Sequence, residues 1–336
     1  MFWYAVASLT PAALLALGCL FGGHFAPSGV LSITVFVFFM DKIAHALPDT
    51  GNNGRSLSMA LAAVHFPLLA LGIWALATPG SLSLIDRILL FTGLGLYFGQ
   101  VSNSNAHELI HATARFPRRV GAALYISLLH GHHVSAHLHV HHIYAATRTD
   151  PNSARKGEGF WAYALRALSG EFIAGWRAET SRRARAHNSP PLSHPYVAYI
   201  GGAGVALVSA YMIAGHKGTI IYLAIAFYAQ LQLLLSDYVQ HYGLRRATLA
   251  NGKPEPIGPQ HSWNAPKWYS SAMMLNAPKH SDHHLRPARA FPALQVTPDT
   301  MPILPHSLPV MAVLALLPPV WRRIMDHRVA RWQKPA

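Results

Sequence analysis

Apolar residues fall in six runs long enough to cross a hydrocarbon core of about 30 Å as helices. They cover roughly 2–22, 27–47, 57–78, 83–103, 195–215 and 218–240. The second ends in Asp41 and Lys42, and the fourth carries Asp86 and Arg87 near its start, so polar residues blur those edges. A further apolar stretch from Leu308 to Met325 contains Pro318-Pro319 and Trp321-Arg322-Arg323. A proline pair interrupts a span, so this stretch reads as a helix lying in the interface. No Lys or Arg precedes Lys42. The first run therefore lacks the basic start of a signal peptide and is expected to be a true first helix. Two long polar segments, 104–194 and 241–336, separate and follow the runs, and residues 251–268 read as a proline-rich, extended connection. The pattern predicts an all-α integral membrane protein, a single membrane domain over 1–336, with six transmembrane helices.

Composition supports that class. Apolar residues are 51% of the 336 and charged residues only 12%, about half the share a soluble domain carries. Lys and Arg number 27 against 13 Asp and Glu. Such an excess can serve nucleic acid, but here it lies between apolar runs and favours a membrane. The two long segments hold eleven and twelve of the basic residues, and the loop between the second and third runs adds Lys42 and Arg55, leaving Arg87 and Lys217 opposite. By the positive-inside rule both termini and both long segments are expected in the cytoplasm, as a helical cap on a bacterial inner-membrane bundle. One cysteine, Cys19, excludes a disulfide framework, a thiolate zinc site and a cluster held by four cysteines of this chain.

The chemistry lies in the histidines. Nine of the 22 fall between His107 and His142. His107-Glu108-Leu109-Ile110-His111 sets two imidazoles one helical turn apart on one face, the HExxH spacing of zinc proteases. His130-Gly131-His132-His133 and His137-Leu138-His139-Val140-His141-His142 follow, then His280-Ser281-Asp282-His283-His284. Isolated histidines at membrane edges (His24, His45, His65, His194, His216, His327) read as interfacial polar residues. His130, His132, His133 and His139 are ambiguous, a structural or solvent-facing role being commoner than metal binding. The three clusters together are costly at a bilayer edge unless paired or metal-bound. A zinc protease needs only one further ligand beyond HExxH, whereas these clusters can supply two metal ions. Imidazole without thiolate suits iron, zinc, copper or nickel, and spacing does not choose among them. A membrane metal transporter would need polar residues along helix centres, which are nearly free of them apart from His65.

These clusters resemble the histidine boxes of the membrane fatty-acid desaturase and hydroxylase superfamily. The chain is most similar to integral-membrane alkane 1-monooxygenases and xylene monooxygenase hydroxylase subunits. The residues that carry the resemblance are Asn105 to His111, His137 to His142, Ala146 to Arg155 with Asp150-Pro151, Asp237 to Leu244 with His241-Tyr242-Gly243-Leu244, and Leu275 to His284. The resemblance implies two non-haem iron ions held by His107, His111, His137, His141, His142, His241, His280, His283 and His284. His137 is preferred to His133 because His137, His141 and His142 reproduce the family's HxxxHH spacing. The chain departs from the family at Asp237 and Gln240, where Asn and Glu are usual. It also has Ala112 and Ala136 in place of Lys and Glu. The apparent exchange makes Asp237 the candidate to serve His241.

The activity that the resemblance implies is dioxygen-dependent hydroxylation of terminal methyl groups of alkanes or alkyl aromatics. A fatty-acid or lipid desaturase, or a lipid hydroxylase, is the alternative on the same metal site. The chain has no nucleotide-binding glycine fingerprint and no cysteines for a redox cluster. Electrons must then come from a separate carrier, and the resemblance suggests a rubredoxin or ferredoxin with its reductase. Arg115, Arg118 and Arg119, with Arg182, Arg183 and Arg185, are the candidates for guiding an acidic carrier.

Overall fold

The computed structural model describes residues 1–43, 54–80, 82–186 and 190–333, and helices are the only regular elements among them. Four helices are long and apolar enough to cross a membrane: α1 (Phe2–Phe21), α4 (Arg55–Ala77), α5 (Leu84–Ile110) and α9 (Pro195–His241). Between α1 and α4 lie two short apolar helices, α2 (Phe25–Ile33) and α3 (Val35–Met40). The expected second span is thus broken at Thr34, and its stretch 44–47 lies outside the described residues, as does His45. It stops at Asp41 for a physical reason. The Asp41 carboxylate accepts from the backbone N–H groups of Tyr269 and Ser270 at 3.0 and 2.9 Å, in the first turn of α10 (Trp268–Met273).

Helix α5 begins with a reciprocal cap, in which Ser83 Oγ accepts from the Asp86 N–H while Asp86 accepts from the Ser83 N–H. It runs seven residues beyond the expected limit of 103 and so carries the first histidine box on a membrane helix. The polar residues that end the hydropathy signal are satisfied inside the bundle. Asn103 donates to the Ala229 carbonyl and Asn105 to that of Ser58, both at 2.9 Å. A π-helical turn, Phe98–Ser102, interrupts the helix just before them.

The fifth and sixth apolar runs fall on the two arms of α9, which counts as one of the four long apolar helices. The arms are separated by a turn at Ala214 and Gly215, where Gly215 takes φ 58°, a conformation that favours glycine. The chain reverses there, since a Cβ on Gly218 would lie 2.5 Å from the Ala210 carbonyl oxygen. Close crossings draw the bundle together elsewhere: a Cβ on Gly29 or Gly93 would lie 2.7 or 2.5 Å from Leu15 Cδ2. The stretch 308–325 forms α12 (Leu308–Ala315) and the start of α13 (Pro318–Trp332). Both helices bury one side in the protein core, where Trp321 packs on Tyr238 and Tyr242.

The remaining α-helices are α6 (Arg115–Ser127), α7 (short helical pieces over residues 133–144), α8 (Phe160–Arg185) and α11 (His280–Leu285). His65 is not an interfacial residue. It is buried, and its ring nitrogens meet Ser102 Oγ at 2.9 Å and Ser127 Oγ at 2.8 Å, tying α4 to α5 and α6. His24, His216 and His327 are exposed, and His194 caps α9 by accepting from the Tyr196 N–H.

Candidate metal centre

The last turn of α5 carries His107, and His111 follows as its C-cap; α7 carries His137, His141 and His142, α9 ends on His241, and α11 carries His280, His283 and His284. These nine converge as two adjoining groups. His107, His111, His137, His142 and His283 form one; His141, His241, His280 and His284 form the other. Two short helices divide their histidines between the groups. In α7 the stretch His137–His141 is a π turn closed by a bond from the His142 N–H to the His137 carbonyl. That wider turn brings positions five apart toward one face, so His137 and His142 join one group while His141 faces the other. In α11, His280 and His284 are one turn apart and share a group, and His283 points to its neighbour. The groups share a wall, with the His142 and His284 rings 4.8 Å apart.

Nitrogen geometry tests whether metal fits. In the first group the Nε2 atoms of His111, His137 and His142 form a triangle with sides of 3.0, 2.9 and 3.1 Å. In the second, His241, His280 and His284 form another, with sides of 2.9, 3.1 and 3.3 Å. Each neutral imidazole has one N–H and one lone pair, so three ring nitrogens pointing at a common centre do not satisfy one another as hydrogen bonds. They suit a cation, because metal–nitrogen bonds of about 2.1 Å at near-right angles set neighbouring nitrogens about 3 Å apart. The Nε2 atoms of His107 and His141 are buried without a hydrogen-bond partner among the described residues, a condition that binding a cation would satisfy. Imidazole nitrogen with no thiolate is a donor set that iron accepts.

Electrostatics keep most of these rings neutral. Burial, reinforced by the neighbouring imidazoles, holds His111, His137, His142, His280, His283 and His284 well below the ordinary histidine range. His141 is the exception. Burial pulls its pKa down, but the Asp150 carboxylate, 2.9 Å from Nδ1, together with Asp237 and Glu171, outweighs this and raises it. Asp150 thereby fixes the tautomer, with Nδ1–H donating and Nε2 free to face the second group. Ser153 Oγ and the Asn152 N–H in turn hold Asp150.

The ambiguous histidines His130, His133 and His139 lie outside both groups. His133 and His130 meet Glu171 at 2.5 and 3.4 Å, and His139 turns out toward Glu179. The contact at 2.5 Å is hydrogen-bond spacing rather than that of two ligands on one ion. Burial raises the Glu171 pKa, yet His133 and His130 more than offset it and hold the carboxylate well below its usual range. Asp237 does not serve His241. Its carboxylate accepts from Asn152 Nδ2 at 2.8 Å and lines a cavity of about 50 Å³ beside His107, His137 and His280. Gln240 is held by Ser236 and the Ala277 carbonyl. Sequence reading missed the roles of Asp150, Asn152 and Glu171; only the Asp-Pro block around Asp150 stood out as a motif.

Two cavities adjoin the centre, one through the small cavity and one directly. A cavity of about 390 Å³, mostly apolar, lies among α2, α3, α5, α9 and α12 and shares Gly99, Ser104 and Ser236 with the small cavity. A cleft of about 150 Å³ between Arg55, Pro117 and Arg289 reaches His111 from the other side.

Residues 84–314 match the fatty acid desaturase family. Among known proteins the chain is similar to alkane 1-monooxygenase 2 of Pseudomonas aeruginosa, 29% identical over 85% of this chain and 76% of that protein. It is 34% identical to the alkane 1-monooxygenase of Acinetobacter baylyi, over 74% of this chain and 60% of the relative. The hydroxylase component of xylene/toluene monooxygenase from Pseudomonas putida is 26% identical over 64% of this chain and 57% of its own.

Proposed function

Because the chain belongs to the fatty acid desaturase family, within its group of alkane 1-monooxygenases and xylene monooxygenase hydroxylase components, we propose that it is a membrane di-iron monooxygenase. It hydroxylates terminal methyl groups of alkanes or alkyl aromatics. The observation that carries this reading is two all-imidazole nitrogen cages beside a small cavity that shares Gly99, Ser104 and Ser236 with a mostly apolar cavity between helices. The five- and four-histidine groups would hold one iron each. Iron bound there would supply dioxygen reduction and attack on an unactivated C–H bond. In balance, hydrocarbon, dioxygen, two electrons and two protons give an alcohol and water.

The chain's own residues do the rest. Apolar side chains of α2, α3 and α12, such as Val37, Phe38 and Val313, let a hydrocarbon enter and keep water from its path. Asp150 orients His141, and the buried carboxylates Asp150, Glu171 and Asp237 offset the charge of two cations on neutral ligands. Six spans, namely α1, α2 with α3, α4, α5 and the two arms of α9, would place both termini and all nine histidines on the cytoplasmic side of a bacterial inner membrane as one membrane domain.

Electrons would arrive from a rubredoxin- or ferredoxin-like carrier. Arg115, Arg118 and Arg119 are exposed at the start of α6, beside the cleft that reaches His111. Arg182 and Arg183 are committed elsewhere, to Glu179 and to the 190–193 turn. Carrier-limited turnover should fall as salt rises, since the screening length shrinks from about 10 Å at 0.1 M to about 3 Å at 1 M. Charge reversal at Arg115, Arg118 and Arg119 should raise the carrier concentration required. If neither change matters, the carrier docks elsewhere.

Product analysis tests the function. Membranes holding the chain, a carrier and its reductase are given alkanes, alkyl aromatics and lipids under ¹⁸O-labelled dioxygen. A terminal alcohol with one labelled atom is expected. A product that has lost two hydrogens and gained no oxygen would make the chain a desaturase.

A further inference from the structure

Polar side chains line the path from the apolar cavity to the histidines on both facing helices. On α5 they are Gln100, Ser104 and His107; on α9 they are Gln232, Ser236 and Gln240. Spacings of three and four residues set each series on one helix face. The helices touch at the head of the path, where a Cβ on Gly99 would lie 2.4 Å from Gln232 Cβ. At the histidine end the polar groups are paired, with Ser236 donating to Gln240 and Gln240 to the Ala277 carbonyl. At the head they are not. Neither the Gln100 nor the Gln232 carboxamide has a hydrogen-bond partner among the described residues, and Gln100 Oε1 is buried without one.

An unpaired amide in apolar surroundings between membrane helices is costly, and such residues mark ligand paths. Both glutamines line the large cavity, and Gln100 lies in the π turn of α5, a distortion frequent at functional sites. Seven residues of helix separate Gln100 from His107, about 10 Å at 1.5 Å per residue.

Resting on the monooxygenase reading, we infer that Gln100 and Gln232 form a hydrogen-bonding collar that selects apolar chains carrying an oxygen function about 10 Å from the methyl group presented to the histidines. An ether, carbonyl or hydroxyl oxygen accepts from the carboxamide N–H groups, and a hydroxyl can also donate to the buried Gln100 Oε1, whereas a plain alkane pairs with neither. A site built to hydrogen-bond its substrate discriminates against the analogue lacking that group. The reaction keeps its balance. The terminal C–H bond breaks, one dioxygen atom enters as hydroxyl and the other leaves as water, with two electrons from the carrier and two protons.

The test compares octyl methyl ether with decane, which has the same chain length, in membranes holding the full chain, carrier and reductase. Two quantities are read: the ratio of kcat/KM for ether over decane, and which end of the ether is oxidised. The unaltered chain should favour the ether about tenfold and oxidise its alkyl end. In Gln100→Leu/Gln232→Leu, and in the milder Gln100→Met and Gln232→Met, the ratio should fall toward one and oxidation should spread to the methoxy end. Oxidation of decane with no ether preference overturns the collar alone. So does a preference that survives the substitutions, including one preserved while both rates fall together, which would make the seam structural or a water path. If the unaltered chain oxidises neither substrate, the monooxygenase reading fails and the collar with it.

Discussion

Replacing His284 with alanine is expected to abolish hydrocarbon oxidation, and His107→Ala and His141→Ala should do the same. Each contributes a nitrogen to one of the two convergent groups: His107 to the group of five, His141 and His284 to the group of four. Loss of partners around a ligand already costs 10–100-fold in metal affinity or activity, so loss of a ligand should exceed about a hundredfold. The effect should also be local in metal content. His141→Ala and His284→Ala should empty the second group first, and His107→Ala the first, each leaving close to one iron per chain. His24→Ala and His216→Ala, both exposed and remote from the cages, should retain most activity and both irons. Activity and metal content measured on the same membranes check the set. Full activity in His107→Ala, His141→Ala or His284→Ala would remove that residue from the ligands.

Asp150→Ala and Asp237→Asn carry the next largest effects. Nine neutral imidazoles leave the charge of two cations uncompensated in a buried site, and Asp150 and Asp237 are both buried carboxylates beside it. Asp150 also fixes the His141 ring through its bond to Nδ1. Each substitution should lower iron affinity or turnover by roughly 10–100-fold. Gln240→Ala should cost far less, because among the described residues the Gln240 side chain bonds to Ser236 and the Ala277 backbone carbonyl and to no acid or histidine. Iron titration of the purified variants ranks them. A larger loss from Gln240→Ala than from Asp237→Asn would show that the carboxylate at 237 has no part in the site.

Much of the fold and the site was legible in the sequence because the bilayer enforces simple patterns. The runs 2–22 and 57–78 match α1 and α4 to within two residues at each end. The HExxH and HxxHH spacings place their outer histidines on one helix face. Where polar residues are satisfied inside the bundle, hydropathy misleads. Asn103 and Asn105 end the apolar signal while α5 continues to Ile110. His65 reads as an edge residue in the sequence, but two distant serines bury and pair it. The end of the second span at Asp41 follows from a cap that Asp41 supplies to a helix more than two hundred residues away, a contact no local pattern contains. Glu171 and Asn152 stay hidden for the same reason. Their partners are contributed by other elements, and an isolated acid in a polar segment looks solvated.

Counting metal in the protein purified from membranes tests the central claim most directly. Two irons per chain are expected, lost stepwise as the two histidine groups are altered in turn. One zinc per chain with no capacity to bind iron would contradict it.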